Sequence, residues 1–397
     1  MRVLMVNKFA RVVGGADKQC MSLASALRDE GHEVAFLAME SPANTELRGV
    51  FVPTIVTHET RDSLSARTRA RVAREAFWNS TAARAMERLV DGFRPDVVHA
   101  HRLYPQLSVS PIRVARRRGL PIVQTLHDYE FLSANPFDPD GGVFDRHEQR
   151  ISYGVLNGCT FAIRRLLHAP VVAEWIAVSD FVARKHRRRG IRATVIPNFA
   201  ELDSSGPLVP MEHRHGVLFF GALSEEKGVL DVLELARMLP ETSVAIAGRG
   251  PLRVQVEEEA AGLANVDFRG HLDSALVTEA VRAARLVVIP SRWEEPGALA
   301  ALEAMKAGTP IVAYRRGGLA EYVTTAGAGL TVETEPRLLA SACQTLLTDT
   351  ARWRECSEAG IRASESTFSR EAHTAAVVAV YERAARRSAN GGASAIR

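Results

Sequence analysis

Cysteine is scarce in this chain. Cys20, Cys159, Cys343 and Cys356 are its only four, none forms a CxxC pair, and no Cys/His run has zinc spacing. They read as reduced thiols, and neither a disulfide framework nor a structural metal is expected. No run of about 18 or more apolar residues occurs, so nothing is expected to span a membrane. The opening residues MRVLMVNKFARVV hold an apolar run too short for a signal peptide, with no small-residue cleavage site behind it. A cytoplasmic protein is expected. Aromatic residues make up 6%, rarely interleave with the basic ones, and belong to no recognised nucleic-acid module, so nucleic acid is not an expected partner. Also missing are the G-x-G-x-x-G fingerprint, the Walker A order, a nucleophile elbow and a Ser-His-Asp order.

What is present is ordinary globular material, 46% hydrophobic and 24% charged over 397 residues. That length exceeds one core, so two domains of roughly 200 residues are expected. Net charge is only +4, yet basic residues clump at Arg67, Arg69, Arg71 and Arg74, at Arg116–Arg118, and in RKHRRR at Arg184–Arg189. Such clumps read either as solvated helix ends and faces or as attraction to an anionic membrane surface or acceptor.

Short apolar runs alternate with helical patterns. RVLMVN (2–7) reads as a strand, and a Gly-Gly turn leads to a helix from Asp17 to Glu30 with Cys20, Leu23, Ala24 and Leu27 as its stripe. EVAFLA (33–38), DVVHAH (96–101), PIVQTLH (121–127) and WIAVS (175–179) continue the series. It restarts with VLFFG (217–221), SVAIAG (243–248), LVVIP (286–290), PIVAY (310–314) and GLTVE (329–333). Two such series imply two parallel sheets covered by helices on both faces. Ile196–Gly216, with three prolines and no periodicity, reads as a linker. The division expected is 1–197, a linker at 198–215, 216–375, and a C-terminal helix with a flexible tail at 376–397, the last nine residues looking disordered. In open parallel sheets ligands bind beyond the carboxyl ends of the strands, so two facing domains would share a cleft lined by strand-end loops.

The polar oddities fall at those ends. Gly14-Gly15 precedes a helix, where a backbone can approach an anion or simply turn. Gly221-Ala-Leu-Ser-Glu-Glu-Lys227-Gly228 places a lysine in a strand-to-helix loop, suited to a phosphate or to solvent. Gly248-Arg-Gly250-Pro251 is a tight turn, by itself more structural than functional. His127-Asp128-Tyr129 ends a strand, with Asp128 beside the imidazole as an orienting partner; His99 and His101 are weaker candidates. Asp138-Pro139-Asp140 spells DxD, a pair that can hold a divalent metal, but a turn explains it better.

The stretch EEPGALAALEAMKAGTPIVA is the most informative. Pro296 is placed for a first helical turn and Gly308 for the stop. Glu303 sits among Ala, Leu and Met, where an unpaired carboxylate would cost several kcal/mol. It therefore needs a salt-bridge partner, Lys306 or an arginine, or the hydroxyls of a ligand such as a ribose diol. Glu295 lies just before the helix, whose amides at 297–299 would meet an anion. One carboxylate for a diol, amides plus Lys227 for a diphosphate, and another carboxylate for a sugar together describe a nucleotide sugar.

With GGADKQCMSLASALRDEGHEV, RPDVVHAH, PIVQTLHDY, FFGALSEEKGVLDVLELA, VAIAGRGPL and PSRWEEPGALAALEAMKAGTPIVA in this order, the chain resembles the retaining glycosyltransferases of the Glu-x7-Glu type, family 4, over nearly its whole length. The resemblance implies an α/β fold of the GT-B kind, two Rossmann-like domains facing across a cleft. It implies that Glu303 holds the ribose hydroxyls and Glu295 the donor sugar. Lys227 and the amides near Gly297, Ala298 and Leu299 would bind the diphosphate, and Gly14-Gly15, Gly221 and Gly250 would line the donor site. His127 would lie beside the reacting carbon. Two departures stand out: Ala222 replaces an arginine common in the family, and Glu295-Pro-Gly297-Ala298 displaces a glycine by one position. Arg292 or Arg249 is the compensating cation to consider.

The implied reaction moves a hexosyl group from a UDP- or GDP-sugar to a hydroxyl of a glycan, a lipid-linked or a small-molecule acceptor, by front-face attack in which the leaving diphosphate helps take the acceptor proton. No metal or other cofactor is required by these residues. Cell-envelope or surface polysaccharide synthesis, with peripheral contact at the inner membrane face, is the setting expected. Secondary-metabolite glycosylation, or nucleotide-sugar binding by a decayed site, is the alternative. An epimerase or hydrolase on nucleotide sugars, and a two-lobed sugar-binding protein, are rival readings.

Overall fold

The computed structural model describes residues 1–44, 47–53, 66–134, 151–202 and 206–394. The Asp138-Pro139-Asp140 turn lies outside them. The chain divides into two compact units, one of Met1–Val178, Val182–Ile196 and Thr374–Arg397, the other of Ser179–Phe181 and Pro197–His373.

The first unit is built on seven parallel strands: β1 (Arg2–Phe9), β2 (Glu33–Met39), β3 (Gly49–Val52), β4 (Val97–Ala100), β5 (Ile122–Leu126), β6 (Glu174–Ala177) and β7 (Thr194–Val195). Their order is β3-β2-β1-β4-β5-β6-β7. Val3 to Val6 are all buried, because a central parallel strand is covered on both faces and its side chains alternate between them. Leu4 and Val6 pack with Ala82, Met86 and Leu89 of the helix Ser80–Phe93. Val3 and Met5 pack with Leu23 and Leu27 of the helix Gly15–Asp29 and with Val377, Val380 and Tyr381 near the C-terminus. Asn79 caps the helix Ser80–Phe93, its side chain accepting from Ala82 N at 2.9 Å.

The second unit has six parallel strands, β8 (His215–Ala222), β9 (Val244–Arg249), β10 (Val266–Gly270), β11 (Ala284–Ile289), β12 (Ile311–Tyr314) and β13 (Gly329–Val332), ordered β10-β9-β8-β11-β12-β13. Val217 and Phe219 face one core, with Val232 and Leu235 of the helix Val229–Met238. Leu218 faces the other, with Ala301, Leu302 and Met305.

Three strands were not expected: β3, β7 and β10 lie at or next to sheet edges, where half-exposed residues weaken the apolar run. The helix expected from Pro296 starts instead at Leu299 and ends at Lys306, leaving Glu295–Ala298 as a loop. The last helix runs from Arg370 to Ser394, past the point where composition suggested disorder. Two arginine clumps end helices: Arg116 and Arg117 the helix Ser110–Arg117, and Arg184 to Arg187 the helix Asp180–Arg187. Positive charge is favourable beside the terminal carbonyls. No helix among the described residues is long and apolar enough to cross a membrane.

Both sheets reverse direction of winding once, between β1 and β4 and between β8 and β11. Loops leaving adjacent strands to opposite sides open a crevice there, which locates where each unit can hold a ligand.

Candidate functional site

In the second unit the crevice lies between the loops that follow β8 and β11. The first loop carries Lys227 and the second Ser291 and Glu295. The Lys227 ammonium donates to the Glu295 carboxylate. The Ser291 hydroxyl lies 2.9 Å from the same carboxylate oxygen and 3.1 Å from the Glu226 carbonyl. Lys227 Nζ also stands 5.6 Å from the centre of the Trp293 ring, within cation–π range. Glu295 is only 5% exposed, so the lysine and serine offset the desolvation of its charge.

Backbone hydrogen bonds join the two loops. Arg292 N donates to the Glu226 carbonyl at 2.8 Å and Trp293 N at 3.2 Å. Gly228 follows Lys227 with φ +69°, and a Cβ there would overlap the Pro290 carbonyl oxygen, so this glycine permits the close approach. Behind the second loop, Gly318 N donates to the Glu295 carbonyl at 2.6 Å. Arg292 had been a candidate cation for a ligand. Its guanidinium instead grips the buried Asp231 through two bonds of 2.9 and 2.7 Å, and the Tyr314 hydroxyl donates to Asp231 at 2.9 Å. The bond to Asp231 pushes the Arg292 pKa up, while burial and the Asp231 charge raise that of Tyr314.

Glu303 is 7% exposed. It shares a helix face with Leu299 and Ala300, the less buried residues of that helix's first turn. Lys306, considered as its partner, donates to the Ala200 carbonyl at 3.2 Å. Ala298 immediately precedes the helix, so the amides of Leu299 and Ala300 begin it, with Gly297 just outside. Gly221 and Gly250 lie at the ends of β8 and β9, and a Cβ at Gly250 would come 2.7 Å from Leu223 N. Close backbone packing thus accounts for Gly250.

The first unit has its own polar cluster at the crevice between β1 and β4. Asn7 accepts from Arg102 N at 3.0 Å and donates to Asp17 at 2.9 Å, while Gly14 N donates to Asp17 at 3.2 Å. Gly14 caps the helix that starts at Gly15. His127 Nε2 meets His101 Nδ1 at 2.8 Å, the rings stacked at 5.1 Å. Asp128 was expected to orient His127. It instead pairs with Arg102 Nε at 3.0 Å and accepts from Glu130 N at 2.9 Å, because Arg102 leaves the neighbouring strand end at the same level. His101 in turn stacks on His99 at 4.1 Å, and His99 bonds Tyr381 at 2.7 Å and Thr125 at 2.8 Å.

Lys8, Arg102 and Glu130 escaped the sequence reading, since single charges after strands are common. Burial, then the Asp128 charge, raises Glu130 to about 7. Burial, then Arg102, lowers Lys8; burial raises Asp17; and Asp128 raises Arg102. Such a cluster of alternating charges suits a hydroxyl-rich ligand. Among the described residues no three or more His, Cys, Asp and Glu are grouped to hold a metal ion.

Known proteins resemble this chain in sequence and in fold. The family described as "Glycosyltransferase Family 4" matches residues 13–204, and "Glycosyl transferases group 1" matches residues 208–363. The phosphatidyl-myo-inositol mannosyltransferase of Mycolicibacterium smegmatis is 30% identical over 326 residues, covering 79% of this chain and 76% of that protein. The glycogen synthase of Mycobacterium tuberculosis is 29% identical over 429 residues, covering 96% and 94%. Among solved structures, sucrose-phosphate synthase from Thermosynechococcus elongatus superposes with a TM-score of 0.72 at 19% identity, covering 96% and 98%. The Anabaena protein HepE in complex with UDP does so with 0.65 at 18%, covering 95% and 98%. With both halves matched by family and the mannosyltransferase related along most of its length, the chain belongs to the group 1 glycosyltransferases of the GT-B fold.

Proposed function

We propose that this glycosyltransferase moves a hexosyl group from a UDP- or GDP-sugar to a hydroxyl with retention of anomeric configuration. The observation that carries the reading is the meeting of Lys227, Glu295 and Ser291 at the switch point of the second sheet. The Lys227 ammonium would bind the diphosphate and stabilise it as it leaves. Until then Glu295 holds that charge in place, and on donor binding the same carboxylate accepts from sugar hydroxyls. The first amides of the helix Leu299–Lys306 would add to the diphosphate site, and Glu303 would accept from the ribose diol. HepE, of the same fold, is a protein solved with UDP.

Gly14-Gly15 and His127 belong to the first unit, to which we assign the acceptor; the two glycines keep the donor-lining role that the resemblance implies. His127, held by His101, would orient donor and acceptor, so that catalysis rests on positioning and on charge stabilisation. In front-face transfer the bond from anomeric carbon to diphosphate breaks as the acceptor oxygen bonds on the same side. The acceptor proton passes to the departing diphosphate. The acceptor proposed is a glycan or lipid-linked sugar of the cell envelope, and the Arg67–Arg74 and Arg184–Arg189 clumps favour an anionic membrane surface beside it.

A thermal-shift panel of UDP, GDP and their hexose conjugates tests the donor. At about a hundred times its dissociation constant the right nucleotide stabilises by roughly 2.7 kcal/mol, and Glu303→Gln reduces that shift. Absence of any response in the wild type would leave only a decayed site, and equal shifts in the variant would return Glu303 to a structural role. Proton NMR of the transferred anomeric centre decides retention.

A further inference from the structure

We propose that Arg249 supplies the second positive charge on the donor's diphosphate, an inference that rests on the nucleotide-sugar reading and adds a residue to it. The first argument is charge balance. Each phosphate of a nucleoside diphosphate sugar is anionic near neutral pH. Lys227 enters the site already neutralised by Glu295. Arg292, at the end of β11, is neutralised by the two bonds it gives Asp231. Arg316, beyond β12, spends Nε on the Arg292 carbonyl at 3.1 Å, and β12 is separated from β8 by β11.

The second argument is placement. β9 lies beside β8 in parallel register, Gly221 opposite Gly248 and Ala222 opposite Arg249. Arg249 thus leaves its strand level with Ala222, the last residue of β8, where the loop that carries Lys227 begins. The turn after β9 is bonded onto that loop: Leu223 N donates to the Arg249 carbonyl at 3.0 Å, and Leu252 N to the Leu223 carbonyl at 3.0 Å. Gly248 and Gly250 allow this approach, since a Cβ on either would overlap backbone of Gly221 or Leu223. The turn holds the main chain of Arg249 and leaves its side chain exposed. Among the described residues that guanidinium has no ion-pair partner.

Calorimetric titration of UDP, GDP and the matching monophosphates into the wild type, R249A, R249K and R249A/A222R tests it. R249A is expected to weaken the diphosphate about tenfold, as loss of a charge-assisted bond does, with a clearly smaller effect on the monophosphate. R249K is expected to retain part of the affinity. Because 222 and 249 are registered neighbours, A222R is expected to recover most of what R249A loses. Melting without nucleotide checks that the variants fold. Unchanged diphosphate affinity in R249A overturns the proposal alone, as does equal loss on both nucleotides or a loss that A222R fails to recover. A wild type that binds neither diphosphate removes the donor reading and this proposal together.

Discussion

At the scale of single residues, the site depends on a charge pair that no local pattern announces. Lys227 and Glu295 stand 68 positions apart and meet only because β8 and β11 are neighbours. Lys227→Ala leaves Glu295 with Ser291 as its bonded side chain, in a place where solvent barely reaches. The lysine is a third exposed, 33%, so the stability cost is moderate, about 1–2 kcal/mol. Glu295→Ala removes the buried acid itself, so the double variant is expected to lose less stability than the two singles added. Urea denaturation of all four proteins measures that coupling, and additive losses would remove the pair from the stability argument. Transfer is a separate matter. If Lys227 stabilises the departing diphosphate, kcat of Lys227→Ala falls by about 10²–10³-fold, and Glu295→Ala does not restore it.

At the scale of elements, the helix start at Leu299 follows from the loop before it. The diglycine after β12 holds that loop, through Gly318 N on the Glu295 carbonyl. At Gly317, φ is +60° and a Cβ would lie 2.5 Å from the Glu295 oxygen; at Gly318 it would overlap the Pro296 carbonyl. Gly318→Ala must therefore push Pro296 away, at a cost of about 1–3 kcal/mol, and raise KM for the donor by moving Glu295. Gly92→Ala is the control. It lies in the helix Ser80–Phe93, its Cβ would meet nothing within 4 Å, and helix propensity predicts a gain of about 0.5–1 kcal/mol. Thermal melts of both variants check the contrast, and a Gly318→Ala protein as stable as wild type would show that the loop gives way freely. The central strands were legible because burial on both faces makes each an unbroken apolar run. The edge strand β10, with alternate residues exposed, lacked that signal. Lys227 and Glu295 stood out in the sequence one at a time, each as a charge in a loop after a strand. The pairings did not, since His127 with His101 and Asp128 with Arg102 depend on which strands adjoin.

At the scale of the molecule, buried histidines set the response to acid. His168 is lowered to about 3 by burial and then Arg164. His186 and His373 are lowered to about 4, chiefly by burial. Nδ1 of His186 donates to the Val182 carbonyl at 2.9 Å and that of His373 to the Pro197 carbonyl at 2.7 Å; these bonds favour the charged rings, and burial outweighs them. In the unfolded chain each titrates near 6.5. Between about pH 4 and 6.5 the unfolded state therefore holds protons that the folded state refuses, and stability must fall as pH drops through that window. Glu130 runs the other way. Raised to about 7, it favours the folded state at low pH, and that contribution fades as pH rises from about 4.5 to 7. Three protons against one leave a net slope of at most about 2.7 kcal/mol per pH unit between roughly 4.5 and 6.5. Melting temperature measured across that range is expected to fall on acidification, and His168→Gln with His186→Gln to remove most of the net slope. A flat wild-type profile would mean that these rings take up protons without unfolding, and an unchanged slope in the double variant would assign the acid response to other groups.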